Sequence, residues 1–150
     1  MGLFKLLSLL LTIGWPAGTI LKVPGAFHLS PPLDTLQHCM CVVNSTAMLH
    51  FSIDNDDFDA YEGLRRKGDA RVHLCGIEDF LEHVSSQTFE VELPNRPFDG
   101  ANAAAVQFRA DAALRSWPRY HLLNNNCEHL ARWVATGRAQ SKQVEHYLGN

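Results

Sequence analysis

The sequence predicts an α+β domain in which a small antiparallel β-sheet packs against helices. Segments that alternate apolar and polar residues, as strands do, come mainly before residue 94, and the longer helical patterns follow residue 99. The βαβ rhythm that builds parallel sheets is missing from the sequence. A length of 150 residues fits one such domain with its own core.

Five segments predict strands. The first, residues 19–24, alternates Ile20 and Lys22 with Leu21 and Val23. Two apolar runs, residues 37–43 and 47–53, flank the polar turn Asn44-Ser45-Thr46 and predict a β-hairpin. The remaining strands are expected at residues 71–74 and 88–93, with loops at residues 24–34 and 54–69.

Four helices are expected. A short one covers residues 76–83, and a longer one follows the capping residue Asp99 and ends before Pro118. The third helix begins at Cys127, after Asn124-Asn125-Asn126, and ends at Gly137. A last short helix is expected at residues 141–148.

Residues 1–17 form an apolar segment ahead of a single domain at residues 18–150. The segment fits a membrane-surface anchor, a helix packed on the domain or a signal peptide. The four cysteines do not follow a disulfide pattern and indicate a reducing compartment. Together these features favour a cytoplasmic, membrane-associated protein, with secretion as the alternative.

Composition and spacing exclude several classes of function. A net charge of −3 without a dense Lys/Arg stripe argues against a nucleic-acid partner. The cysteines and histidines lack the Cys-x-x-Cys and His-x-x-x-His spacings of metal sites. We therefore expect neither a metal ion nor a cofactor.

Cys127 is the candidate nucleophile. A helix N-terminus carries partial positive charge, which lowers the pKa of a thiol placed there, and its amide groups can bind an oxyanion. Such a thiol still needs a base.

The hairpin register supplies candidate bases. With residues 44–46 as the turn, Met40 faces His50 and His38 faces Ser52, so the two histidines are diagonal neighbours on one face. The other face is apolar throughout. In one reading, His38 accepts the thiol proton and His50 orients its ring. In the other, these are two unrelated histidines on a half-buried strand pair.

The chain resembles the lecithin retinol acyltransferase-like family of thiol enzymes. The segments that carry the resemblance are Gly18-Thr19-Ile20-Leu21, His38, Met48-Leu49-His50, Tyr120 and Asn126-Cys127-Glu128-His129-Leu130. The tail at residues 135–144 resembles the bacterial-type branch. The sequence departs from the family in having Thr19 in place of aspartate, Cys39 after the first histidine, a hairpin turn without Gly-Asp-Gly and a longer loop at residues 25–37.

This resemblance implies acyl transfer through a thioester on Cys127, with a phospholipid as acyl donor at a membrane surface. The acceptor would be an amine, an alcohol or water, and Tyr120 and Asn126 are possible supporting residues. One alternative is an amide hydrolase of the related NlpC-type peptidases, whose segments occur in permuted order. The histidine-first order favours the acyltransferase branch. A second alternative is a catalytically silent interaction module, against which the retention of His38, His50 and Cys127 argues.

Overall fold

The computed structural model describes residues 14–24, 37–52, 70–83, 89–121 and 123–149. Residues 1–13 of the apolar N-terminal segment lie outside the described residues. The loops expected at residues 24–34 and 54–69 also lie outside them, except for Pro24. At the described end of the apolar segment, Trp15 packs edge-on against Phe89, with ring centroids 5.9 Å apart.

The described strands form one antiparallel sheet. They are β1 (Ile20–Pro24), β2 (Gln37–Val42), β3 (Ala47–Ser52), β4 (Arg71–Gly76) and β5 (Glu90–Glu92). Their order across the sheet is β4-β3-β2-β1-β5, and every neighbouring pair is antiparallel. The predicted α+β class is therefore confirmed.

The hairpin of β2 and β3 has the predicted register, with Cys41 opposite Leu49 and Val42 opposite Met48. The turn is held by Asn44, whose side-chain oxygen accepts hydrogen bonds from the amides of Thr46 and Ala47, each at 3.0 Å. An asparagine that bonds the backbone two residues on is a usual way to build such a turn.

The described helices are α1 (Ile77–His83), α2 (Gly100–Arg115), α3 (Cys127–Thr136) and α4 (Lys142–Tyr147). Asp99 caps α2, as predicted, by accepting from the amides of Ala101 and Asn102. Helix α3 ends at Gly137, whose positive φ of 83° suits a glycine. Arg109 of α2 donates to the last carbonyls of α3, those of Val134 and Ala135, at 2.8 and 3.1 Å.

The sheet is buried on both faces. One face packs against α2 and α3 through Ile20, Cys39, Cys41, Val43, Leu49, Phe51, Val106, Ala110, Leu130 and Val134. The other face carries a second apolar cluster: Leu21, Val23, Met40, Val42, Met48, Cys75, Ile77 and Phe80. The alternation in the sequence predicted only the first of these two cores.

Gly18 and Thr19 fix the start of β1. Thr19, fully buried, donates its amide and hydroxyl to the carbonyl of Pro16 at 3.1 and 2.7 Å. Gly18 has φ +90°, and a Cβ there would lie 3.3 Å from the side-chain nitrogen of Asn102. The hydroxyl of Thr19 thus has a structural partner where the family has an aspartate.

Candidate active site

The edge of β2 that faces β3 changes partner along its length. In antiparallel strands, alternate residues present N–H and C=O to the same neighbour. At the hairpin end those groups belong to Cys41 and Val43, and Val43 donates to the carbonyl of Ala47 at 2.9 Å. At the other end, the amide of Cys39 donates to Cys127 Sγ at 3.3 Å, and that sulfur donates to the carbonyl of Gln37 at 3.7 Å. The sulfur therefore lies beside the strand, where a neighbouring strand would otherwise pair.

Helix α3 brings Cys127 to this position through an N-terminal capping box. The side-chain oxygen of Asn126 accepts from the amides of Glu128 and His129 at 2.9 and 3.2 Å. In return, the amide of Asn126 donates to Nδ1 of His129 at 3.1 Å. Asn126 is thus the helix cap, and His129 has a structural hydrogen bond. Cys127, 7% exposed, is the first residue of the helix and lies at its positive end.

The two hairpin histidines are in contact. Nε2 of His38 and Nδ1 of His50 are 3.0 Å apart, with the rings inclined at 69°. His38 is 7% exposed and His50 is fully buried, which the sequence did not predict. Buried imidazoles need polar partners, and each ring supplies one to the other.

The side chains of His38 and Cys39 leave β2 on opposite faces, yet both influence the thiol of Cys127. Hydrogen bonding with the Cys39 side chain lowers the pKa of Cys127, and the imidazole of His38 lowers it further by hydrogen bonding and charge, against the effect of burial. Hydrogen bonding with Cys127 and burial raise the pKa of Cys39. The lowered pKa of Cys127 and the raised pKa of Cys39 favour ionisation of the thiol at the helix end.

Tyr120 lies next to this pair of thiols. Its ring packs edge-on against Phe51, with centroids 5.3 Å apart. Burial raises the pKa of Tyr120, and the nearby Cys127 and Cys39 raise it further. The phenol therefore keeps its proton and can act as a hydrogen-bond donor.

An ion-pair network anchors α3 to the sheet; its Arg132 and Glu128 are buried, its Glu92 is partly exposed, and the sequence did not predict it. Arg132 donates to Glu128 at 2.7 Å and, with two nitrogens, to Glu92 at 3.1 and 3.0 Å. Lys22 of β1 also pairs with Glu92, at 3.1 Å. The spacing of Glu128 and Arg132, four residues apart on one helix, was the available signal.

Helix α4 also contacts this edge of β2, and the sequence did not predict the contact. The amide of Gln37 donates to Oε1 of Gln143 at 2.6 Å, and Nε2 of Gln143 donates back to the carbonyl of Gln37 at 3.3 Å. Nε2 also lies 3.6 Å from Cys39 Sγ. A glutamine near the end of the chain carries no local sequence signal for such a contact.

Across the residues that the structure describes, no group of three or more His, Cys, Asp or Glu side chains is arranged to hold a metal ion. The same residues contain no helix that is both long and apolar enough to cross a membrane.

A buried cysteine at a helix N-terminus, beside a histidine pair on an antiparallel sheet, is typical of proteins that use a thiol as nucleophile. The lecithin retinol acyltransferase family model matches residues 18–140, and the chain belongs to this family. Membership supports a thiol acyltransferase or phospholipase-type function in general. Comparison with curated proteins and with solved structures finds no significant match.

Proposed function

We propose that this protein is a cysteine-dependent acyltransferase or acyl hydrolase that acts on acyl esters of lipids, with Cys127 as the nucleophile. The observation that carries the proposal is the placement of the Cys127 sulfur, which receives the Cys39 amide at 3.3 Å at the positive end of α3. A thiolate is stabilised there, and His38 is close enough to affect its pKa.

In the first half-reaction, His38 takes the proton of Cys127, and the thiolate attacks the ester carbonyl carbon. In this proposal Nε2 of His38 carries the proton and donates to Nδ1 of His50 at 3.0 Å, which leaves Nδ1 of His38 as the base. Collapse of the tetrahedral intermediate breaks the ester C–O bond, and the leaving alkoxide takes the proton from His38. The products are a thioester on Cys127 and a lysolipid when the donor is a phospholipid.

In the second half-reaction an amine, an alcohol or water attacks the thioester. His38 removes a proton from the acceptor and returns it to the departing thiolate, which restores the enzyme. The same groups serve transfer and hydrolysis, so the choice between them depends on the acceptor that enters the site.

Three further residues have supporting roles in this proposal. His50 holds the ring of His38 in the tautomer that the reaction needs. Tyr120, whose phenol stays protonated, is a candidate donor to the developing oxyanion. Asn126 acts through the helix cap, because it fixes the turn that carries Cys127.

The test is the mass of the intact protein after incubation with phosphatidylcholine vesicles. We expect an added fatty acyl group on Cys127 that is absent from Cys127→Ala and present in Cys75→Ala, a matched variant whose buried cysteine lies in the other core. Acyl labelling that persists in Cys127→Ala would overturn the mechanism. Adding amines or alcohols to the reaction then separates transfer from hydrolysis.

The same protein preparations test the alternatives. An NlpC-type amide hydrolase would release peptides from cell-wall fragments and leave the phospholipid intact. A silent interaction module would show a Cys127 no more reactive toward iodoacetamide at pH 6 than a free thiol.

A further inference from the structure

We propose that Gln143 is a positioning residue of this site, whose side-chain amide completes the edge of β2 and keeps the Gln37 carbonyl occupied while Cys127 reacts. This inference rests on the proposed role of Cys127. It concerns a residue outside residues 18–140, the range that the family model matches.

Gln143 binds the edge of β2 next to the sulfur of Cys127. Gln37 presents its N–H and C=O on the edge where Cys39 presents its N–H to Cys127, since alternate residues face the same neighbour. The side-chain amide of Gln143 accepts from the N–H of Gln37 at 2.6 Å and donates to its C=O at 3.3 Å, as the backbone of a neighbouring strand would. Beside the histidine pair, this edge of β2 is thus completed by a side chain of α4 and the sulfur of α3.

Gln143 is itself held by contacts between the start of α4 and the first turn of α3. Ser141 caps α4 by accepting from the amide of Val144, and its hydroxyl donates to Glu128 at 2.9 Å. The backbone N–H of Gln143 also donates to Glu128, at 3.0 Å. Because Glu128 follows Cys127 directly, the thiol and the glutamine are tied to the same turn of α3.

The Gln37 carbonyl connects Gln143 to the thiol of Cys127. The thiol of Cys127 donates to the Gln37 carbonyl and accepts from the Cys39 amide, and ionisation removes only the first of these two bonds. When Gln143 already donates to that carbonyl, the carbonyl depends less on the thiol proton. Removal of the Gln143 donor should therefore favour the protonated thiol and raise the pKa of Cys127.

Other titratable groups surround the thiol and must stay unchanged in the test. They are His38 and Cys39 on β2, His50 behind His38 on β3, Tyr120 in the segment before α3, and Glu128 and His129 on α3 itself. Glu128 is held by Arg132, by Ser141 and by the backbone N–H of Gln143, and a change of the Gln143 side chain removes none of these groups. Gln143→Ala thus alters an uncharged side chain among these fixed groups.

The experiment measures the rate of iodoacetamide alkylation at Cys127 as a function of pH, by mass spectrometry of the peptide that contains it. Gln143→Ala removes both bonds to Gln37. Gln143→Glu keeps an acceptor for the Gln37 amide but replaces the donor with a negative charge. Gln140→Ala is the matched control, because Gln140 pairs with Glu145 on the exposed side.

For both Gln143 variants we expect the alkylation midpoint to rise by about one pH unit, with Gln140→Ala unchanged. The new negative charge by itself also predicts a raised midpoint in Gln143→Glu, so a rise in Gln143→Glu with the wild-type midpoint in Gln143→Ala would assign the effect to charge and overturn the inference. Coincident pH profiles of Cys127 alkylation for wild type and Gln143→Glu would overturn the inference. This comparison can still be made if Gln143→Ala does not fold.

The alkylation assay involves no lipid, so it can show the role of Gln143 to be wrong separately from the proposed function. If Cys127 in the wild-type protein titrates as an ordinary thiol, the proposed nucleophile is wrong. If its midpoint is low and both Gln143 variants share it, only the role of Gln143 is wrong.

Discussion

The two ends of β2 use the same backbone groups for different purposes. At the hairpin end, Cys41 and Val42 pair with β3 in a regular ladder between two apolar cores. At the other end, Gln37 and Cys39 bind the sulfur of Cys127 and the amide of Gln143. The hairpin end of β2 is therefore part of the structural frame (the frame end), and the end at Gln37 and Cys39 is part of the site (the site end), where side chains take the place of a neighbouring strand.

The largest effect is expected at the site end, from His38→Gln. The glutamine amide can still donate to His50, but it cannot accept the thiol proton. We expect acyl-adduct formation on Cys127 to slow by about 10²–10⁴-fold, the usual contribution of a general base. Timed mass spectra would measure this, with the exposed His146→Gln as control. A loss of less than about tenfold would contradict the role of His38.

At the frame end, Leu49→Ala should lower the free energy of unfolding without changing the alkylation rate of Cys127. Leu49 is fully buried opposite Cys41, so truncation leaves a cavity that costs about 3 kcal/mol of unfolding free energy, measured in urea. Leu74→Ala is the matched control, since Leu74 pairs with Leu49 but is 42% exposed. A large change in alkylation rate per folded molecule would show that the two ends are not separable.

A pair of helix caps gives a smaller and sharper comparison. Asn126→Ala and Asp99→Ala each remove a side chain that accepts from two backbone amides, and each should cost about 1 kcal/mol of unfolding free energy. Because only α3 carries the thiol, only Asn126→Ala should also slow alkylation of Cys127. Equal alkylation rates in the two variants would mean that the cap does not position the sulfur.

The smallest effect is expected from pH, through Glu92. Hydrogen bonding from Arg132, with help from Lys22, lowers the pKa of Glu92 from 4.5 to about 2. A lowered carboxyl pKa stabilises the fold above the ordinary pKa, and this contribution is lost as pH falls from about 5 toward 2. The difference in urea midpoint between wild type and Glu92→Gln should therefore shrink across that range. A constant difference would exclude this linkage.

The sequence predicted much of the frame, because local signals determined it. Asn44 in the turn, the alternation on either side and the capping residues Asp99 and Asn126 act within a few positions of themselves. They placed the hairpin in its register and brought His38 next to His50. The same register could not show that the histidines are buried, since that depends on the second core, to which β4 and α1 contribute.

The contacts that complete the site depend on long-range packing. Gln143 is 106 residues from Gln37, and Glu92 is 40 residues from Arg132. No periodicity or cap links such positions, so only the folded chain reveals them. Cys39 is intermediate: its place after His38 was visible as a departure from the family, but its approach to Cys127 was not.

Helix α3 is electrostatically matched at both ends. Its positive end faces the sulfur of Cys127, and its negative end receives the guanidinium of Arg109 at the carbonyls of Val134 and Ala135. An anion at the first turn and a cation at the last both align favourably with the helix dipole. Because the dipole effect falls off within one turn, the two ends of α3 act separately: the first turn favours the anionic form of Cys127, and the last turn holds Arg109 of α2.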